Sequence, residues 1–205
     1  MSLDEVKCIC TQLQEKLENR IGNLSGACYL FGHLLNKIYT SRGYKSRKVT
    51  GSLRLLMSEK CEKRTCDIKY VLYGNRPSDQ DYHCDRYKYH TWCEVKINND
   101  TYIIDPSIKY NRKRLSRDSI LIHEEIEDVI TTANKISPFY KYEENSSLDR
   151  YSEWWLQELE MRKPELSQFI LKEFGIVPQT ASRGSSRNKP CPCGSGKKSK
   201  NCCNK

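Results

Sequence analysis

Two pairs of cysteines, Cys191-Pro-Cys193 and Cys202-Cys203, stand within the last fifteen residues of a 205-residue chain. A segment that short cannot bury a core large enough to fold on its own. Four thiolates, however, satisfy the tetrahedral preference of zinc and give a closed structural site. The eight-residue spacer Gly-Ser-Gly-Lys-Lys-Ser-Lys-Asn is small and flexible enough to bring the pairs together. The spacing predicts a zinc module whose metal, Zn2+, supplies most of its folding free energy. The competing reading is a set of free or disulfide-linked cysteines on an unstructured end.

The charge balance sets this tail apart from the rest. From Ala181 to Lys205 there are seven basic residues and no acid, so the tail accounts for most of the net charge of +9. A basic tail favours acidic partners, RNA included, or serves solubility. With 37% hydrophobic residues, 13 Tyr and 3 Trp, the remainder can build a core. No apolar run approaches the roughly 18 residues of a membrane span. The start, MSLDEVKCIC, lacks the basic and apolar regions of a secretory signal. Eleven cysteines is an odd count, and outside the tail they are scattered, which argues against a disulfide scaffold. A soluble protein of the cytoplasm is expected.

Hydrophobic spacing sketches an α+β body. Ser2 to Glu5 has the form of a capping box, and Val6, Ile9, Leu13 and Leu17 follow at helical spacing, predicting a helix to about Asn19. A second helix is expected from Gly26 to about Thr40, N-capped by Ser25 and closed by Gly43. Strands are predicted over Arg47 to Leu56, Asp67 to Tyr73, His90 to Ile97 and Thr101 to Ile104. The last two form a hairpin across Asn98 to Asp100. Helices should follow over Ser119 to Lys135 and over Ser147 to Phe174, the second divided by Pro164. The expected organisation is a body over 1–178, a flexible linker over 179–188 and the zinc module over 189–205.

Within the body one constellation points to chemistry. Cys28 falls in the first turn of the second helix, where the helix dipole and unpaired N–H groups favour thiolate. The same N–H groups can hold a developing oxyanion. The hairpin brings His90 and Asp105 to the same end of the sheet, so a carboxylate can orient an imidazole that serves the thiol. Trp92 shares the strand face of His90 and is expected to wall the site as a substrate-binding residue. Glu94 has the same parity and can pair with a basic residue. Asn23 is the one side-chain candidate for an oxyanion donor.

Two resemblances attach to these residues. Asn188-Lys-Pro-Cys-Pro-Cys-Gly-Ser-Gly-Lys-Lys-Ser-Lys-Asn-Cys-Cys203 resembles the SEC-C motif, named for the C-terminal zinc domain of the SecA translocation motor. That resemblance implies zinc ligation by Cys191, Cys193, Cys202 and Cys203 and docking to a protein or ribosomal surface. Gly26-Ala-Cys28, Gly43-Tyr44 and Arg47-Lys-Val-Thr-Gly51 resemble the cysteine region of transglutaminase-like proteins. His90-Thr-Trp-Cys-Glu-Val95 and Tyr102-Ile-Ile-Asp-Pro106 resemble their histidine and aspartate regions, in the same order. This implies a papain-like fold, with the cysteine helix packed on an antiparallel sheet. The implied roles are Cys28 as nucleophile, His90 as general base and then acid, and Asp105 as orienter.

The expected function is cysteine-dependent acyl chemistry on amides of a protein or peptide: hydrolysis, deamidation or transfer. A non-catalytic interaction scaffold recruited through the zinc module is the alternative, and RNA or ribosome association through the tail is compatible with both. Between Gly51 and His90, Cys61, Cys66, His83 and Cys84 belong to a charged insertion that shapes substrate access, with a second zinc site as the other reading. His33 is expected to be structural, His123 solvent-exposed on a polar helix, and Cys93 core packing on the strand face opposite Trp92.

Overall fold

The Ser2 side chain accepts a hydrogen bond from the Glu5 N–H at 3.3 Å and starts helix α1, Leu3–Ile21. Its apolar stripe, Val6, Ile9, Leu13 and Leu17, is buried against helix α2, Cys28–Ser41. A computed structural model describes residues 2–66, 70–73, 89–117, 119–132 and 139–176. Within them the chain is α+β, built on an antiparallel sheet.

Strand β1 (Lys45–Leu56) is the hub of that sheet. It pairs with β3 (His90–Ile97) along its first half, and with β2 (Tyr70–Tyr73) and β6 (Tyr140–Glu144) along its second. Gly51 permits the β6 pairing, because a Cβ there would come within 2.0 Å of the Glu143 carbonyl oxygen. β3 turns through Asn98 and Asn99 into β4 (Asp100–Asp105), with Ile97 facing Asp100 and Cys93 facing Ile104. β5 (Val129–Thr132) pairs with β4 from Asp105↔Val129 to Tyr102↔Thr132.

Strand alternation then sorts the core. Cys93, Val95, Ile97 and Ile104 pack beneath α1 and α2, joined by Ile170 and Leu171 of helix α5, Leu166–Glu173, and by Phe174 at its C-terminal cap. Val49, Leu53, Trp92 and Ile103 pack on the other side against Ile108 and Leu115 of helix α3, Ile108–Arg117. Helix α4, Asp149–Arg162, follows a short 3-10 turn at Ser146–Leu148.

Three sequence expectations are corrected. No helix spans Ser119 to Lys135: residues 119–128 form irregular chain, and 129–132 are β5. The β-branched run Val129-Ile-Thr-Thr fits the open edge of β4 better than a helix, where branched side chains crowd the preceding turn. Ser25 does not cap α2. The chain turns once more through 25–27, with Gly26 at φ +81°, and Ala27 occupies the cap position without a side-chain hydrogen bond. His123 is half-buried, its ring stacked on Phe139 at 4.3 Å between centroids, not exposed on a helix. Conversely, the break near Pro164 falls at 163–165, between α4 and α5.

Candidate functional site

The turn before α2 is tied down from a distant part of the chain. Ser25 Oγ donates to the Tyr110 carbonyl at 2.7 Å, and Gly26 N–H donates to Asn111 Oδ1 at 3.1 Å. Asn111 lies on the buried face of α3 with Ile108 and Leu115, at i, i+3 and i+7. Cys28 is thereby fixed as the first residue of α2. Its amide and that of Tyr29 precede the first hydrogen bonds of the helix, those of Leu30 and Phe31 to the Ala27 carbonyl.

His90 opens β3 and Asp105 ends β4. By register Asp105 lies beside Trp92, so His90 sits two residues beyond it on the same face. That diagonal is short enough for His90 Nε2 to meet Asp105 Oδ2 at 2.5 Å, both side chains being 1% exposed. The carboxylate also accepts from Tyr142 Oη at 2.8 Å, Ser107 Oγ at 2.7 Å and Ser107 N–H at 3.2 Å. Cys28 lines the same cavity as the imidazole, and its thiol, like Asp105, favours the protonated ring. With Nε2 turned to Asp105, Nδ1 is the nitrogen left for sulfur.

Charge follows from this arrangement. Burial opposes protonation of His90, but the Asp105 carboxylate and the Cys28 contact outweigh it and raise the imidazole to about 10. Burial likewise opposes ionisation of Asp105, yet His90, Ser107 and Tyr142 together hold its carboxyl below its ordinary value. The pair is an imidazolium–carboxylate. Behind it, the Trp92 ring lies 20° from parallel to His90 at 6.4 Å, and its Nε1 donates to Glu94 Oε1 at 3.3 Å. Glu94 in turn pairs with Arg47 at 2.8 Å.

A cavity of about 280 Å³ opens against Cys28 and His90. Tyr29, Leu30 and Tyr89 wall it from α2 and the start of β3, and Trp155 and Leu159 from α4. Asn23 and Asn111 line it too. Both have their carboxamide oxygens committed, to Ser25 N–H at 3.0 Å and Gly26 N–H at 3.1 Å, leaving their NH2 groups as donors. Trp92 is 2% exposed and stands behind the imidazole rather than among the lining residues.

The structure therefore brings Cys28, His90 and Asp105 together and sets Trp92 as their backing. It adds Ser107, Tyr142, Asn111 and Trp155, which sequence reasoning missed. Only Ser107 carried a local signal, two residues after Asp105. The other three reach the site through pairings distant in sequence.

Of the remaining singled-out residues, Cys93 is fully buried beneath α2, on the sheet face opposite Trp92. His33 is half-buried; burial, with Lys37 and Lys48 nearby, pushes its imidazole down to about 4. Cys61 is buried beside Met57 and accepts from Leu121 N–H at 3.4 Å, whereas Cys66 is exposed. His83 and Cys84 lie outside the described residues, as do Cys191, Cys193, Cys202, Cys203 and the linker. Among the described residues no group of three or more His, Cys, Asp or Glu is arranged to hold a metal, and no helix is long and apolar enough to cross a membrane.

Residues 187–205 match the SEC-C motif. The chain is 30% identical over 103 residues to the protein translocase subunit SecA of Helicobacter pylori strain J99, covering 49% of this chain and 12% of that protein. SecA of Campylobacter curvus is 28% identical over 101 residues, with 49% and 11% covered. SecA of Trichlorobacter lovleyi is 40% identical over 57 residues, with 24% and 6% covered. The chain thus spans about an eighth or less of the curated relatives it matches. A crystal structure of a genomics target superposes with a TM-score of 0.48 at 12% identity, over 88% of this chain and 83% of that one.

Proposed function

We propose that this chain carries a transglutaminase-like domain of papain-like fold that performs cysteine-dependent acyl chemistry on amide bonds, joined to a zinc module that docks on a protein or ribosomal surface. The observation that carries the reading is the His90 ring, bound to a buried, four-fold hydrogen-bonded Asp105 and lining one cavity with Cys28. A scaffold has no need to bury a charged pair against a thiol at the floor of a cavity.

The chemistry follows the geometry. Cys28 Sγ, as thiolate, attacks the amide carbonyl carbon, and the N–H groups at the start of α2 receive the oxyanion. His90 Nδ1–H gives its proton to the departing amine, and a thioester remains on Cys28. The now neutral ring takes a proton from water, or from an acceptor amine, as that nucleophile attacks the thioester. Thiolate then leaves, with a carboxylic acid or a new amide as product. Asp105 keeps Nε2–H in place through every proton transfer.

For the tail, the donor set fits zinc: four thiols, two closely spaced pairs and a flexible spacer. Cys191, Cys193, Cys202 and Cys203 would hold the ion, which there supplies folding free energy and no reaction chemistry. SecA similarity supports protein docking as the use of that module.

The test is to trap the thioester. Full-length protein incubated with a mixed peptide pool and quenched in acid should carry acyl adducts on Cys28, released by neutral hydroxylamine and missing from Cys28→Ser. A pool that leaves Cys28 unmodified at every time point, with no peptide consumed, favours the interaction-scaffold reading instead.

A further inference from the structure

The cavity against Cys28 has a distinct chemical character. Ile21, Tyr29, Leu30, Tyr89, Trp155 and Leu159 supply an apolar and aromatic wall. The Tyr29 and Trp155 rings lie near-parallel at 6.3 Å, presenting a continuous aromatic surface. The other lining groups, Asn23, Ser25 and Asn111, are neutral. Burial pushes the Tyr29 phenol up to about 12 and raises Tyr89 as well, so neither ionises near neutral pH. Apart from Cys28 and His90, the wall holds no ionisable carboxylate, amine or guanidinium among the described residues.

Among the described residues, Arg162 acts electrostatically on Tyr29 of this wall. Its guanidinium is tied to Glu158 at 3.1 Å, one helical turn back, and its side chain is 73% exposed. A charged substrate side chain entering here would lose hydration and find no counter-charge on the described Tyr29, Trp155 and Leu159 wall. An apolar one would exchange water for aromatic surface. At about 280 Å³ the space is at or below the small end of ligand pockets, enough for a residue or two of extended chain.

We propose that the site selects acyl donors whose side chain next to the scissile amide is apolar or aromatic, and rejects those with Lys, Arg, Asp or Glu there. This rests on the acyl-transfer reading of Cys28. Trp155 and Leu159 set the preference, from a helix that begins more than forty residues after Asp105.

Peptidyl acyloxymethyl ketones, differing only in the residue beside the ketone, test this on the full chain. Cys28 sulfur bonds to the methylene carbon, the carbon–oxygen bond breaks and a carboxylate departs, so mass spectrometry reads each rate at Cys28 directly. Phe and Leu probes should modify Cys28 at least ten-fold faster than Lys and Glu probes. Leu159→Glu should speed the Lys probe several-fold and slow the Phe probe. Equal rates across the wild-type series, or a charged probe reacting fastest, overturns the inference. If Leu159→Glu does not fold by circular dichroism, the wild-type series decides alone. Iodoacetamide, too small to sense the wall, separates the two claims. A His90→Gln variant that slows it, beside a flat ketone series, removes the specificity and leaves the acyl chemistry. Loss of any His90 effect on iodoacetamide removes both.

Discussion

Asp105 accepts four hydrogen bonds in full burial, and that fixes the charge state of His90 beside it. The imidazole stands at about 10 in the folded protein, against roughly 6.5 in an unfolded chain. Because the folded state holds this proton more tightly, the stabilisation is complete below about pH 6.5 and is lost as pH rises toward 10. Asp105 runs the other way: its carboxyl is held below the ordinary value, so its contribution is present above about pH 4 and lost in acid. Between those limits the pair contributes most. Asp105→Asn should therefore cost about 3–5 kcal/mol near pH 5.5, or roughly 10 °C in Tm for a chain this size. The wild-type advantage should shrink above about pH 9, a trend that thermal denaturation against pH reads directly. An advantage that grows with alkalinity would show that His90 is neutral in the folded protein. The imidazole at this site was legible in the sequence because His90 and Asp105 bound a hairpin with a plain Asn98-Asn99 turn. Tyr142 was not, because nothing local ties β6 to Asp105.

At the scale of elements, the sequence was clearest where one periodicity acted alone. α1 carries its cap and a single apolar stripe, and β3 begins and ends where alternation places it. The failure at Ser119 to Lys135 has a physical source. Ile120, Ile122, Ile126 and Val129 can be read at helical or extended spacing, and the unpaired edge of β4 decided between them. α3 was missed because Ile108 and Leu115 are its only fully buried aliphatic residues. It nonetheless holds the turn before Cys28 through Asn111. The β1–β6 contact is the element-level feature most open to test. Gly51→Ala would drive a Cβ to 2.0 Å from the Glu143 carbonyl oxygen, which only separation of the strands relieves. Overpacking of this kind costs about 3 kcal/mol, lowering Tm by roughly 6–12 °C. A Tm within 2 °C of wild type, on the ~2–4 °C per kcal/mol scale, would mean that β6 does not lie against β1.

Across the whole molecule, the proposed function gives two kinds of cysteine separate tasks. Cys28 would be served by a histidine from the sheet, and the four cysteines of the SEC-C segment would be held by a metal. Full-length protein purified without chelator should hold about one zinc per chain. Cys191→Ser with Cys193→Ser should lose it, as read by elemental analysis, and leave Cys28 reactivity unchanged; a parallel fall in both would join the two sites into one unit. The measurement that bears most directly on the account is the alkylation rate of Cys28 by iodoacetamide between pH 5 and 9, followed by mass spectrometry in wild type and His90→Gln with zinc bound. A paired thiol should react at pH 6, where ordinary cysteines of pKa about 8.5 are almost wholly protonated, and His90→Gln should slow that reaction at least ten-fold. Equal rates in the two proteins at every pH would mean that the imidazole does not activate the sulfur, and the case for acyl chemistry at Cys28 would fall.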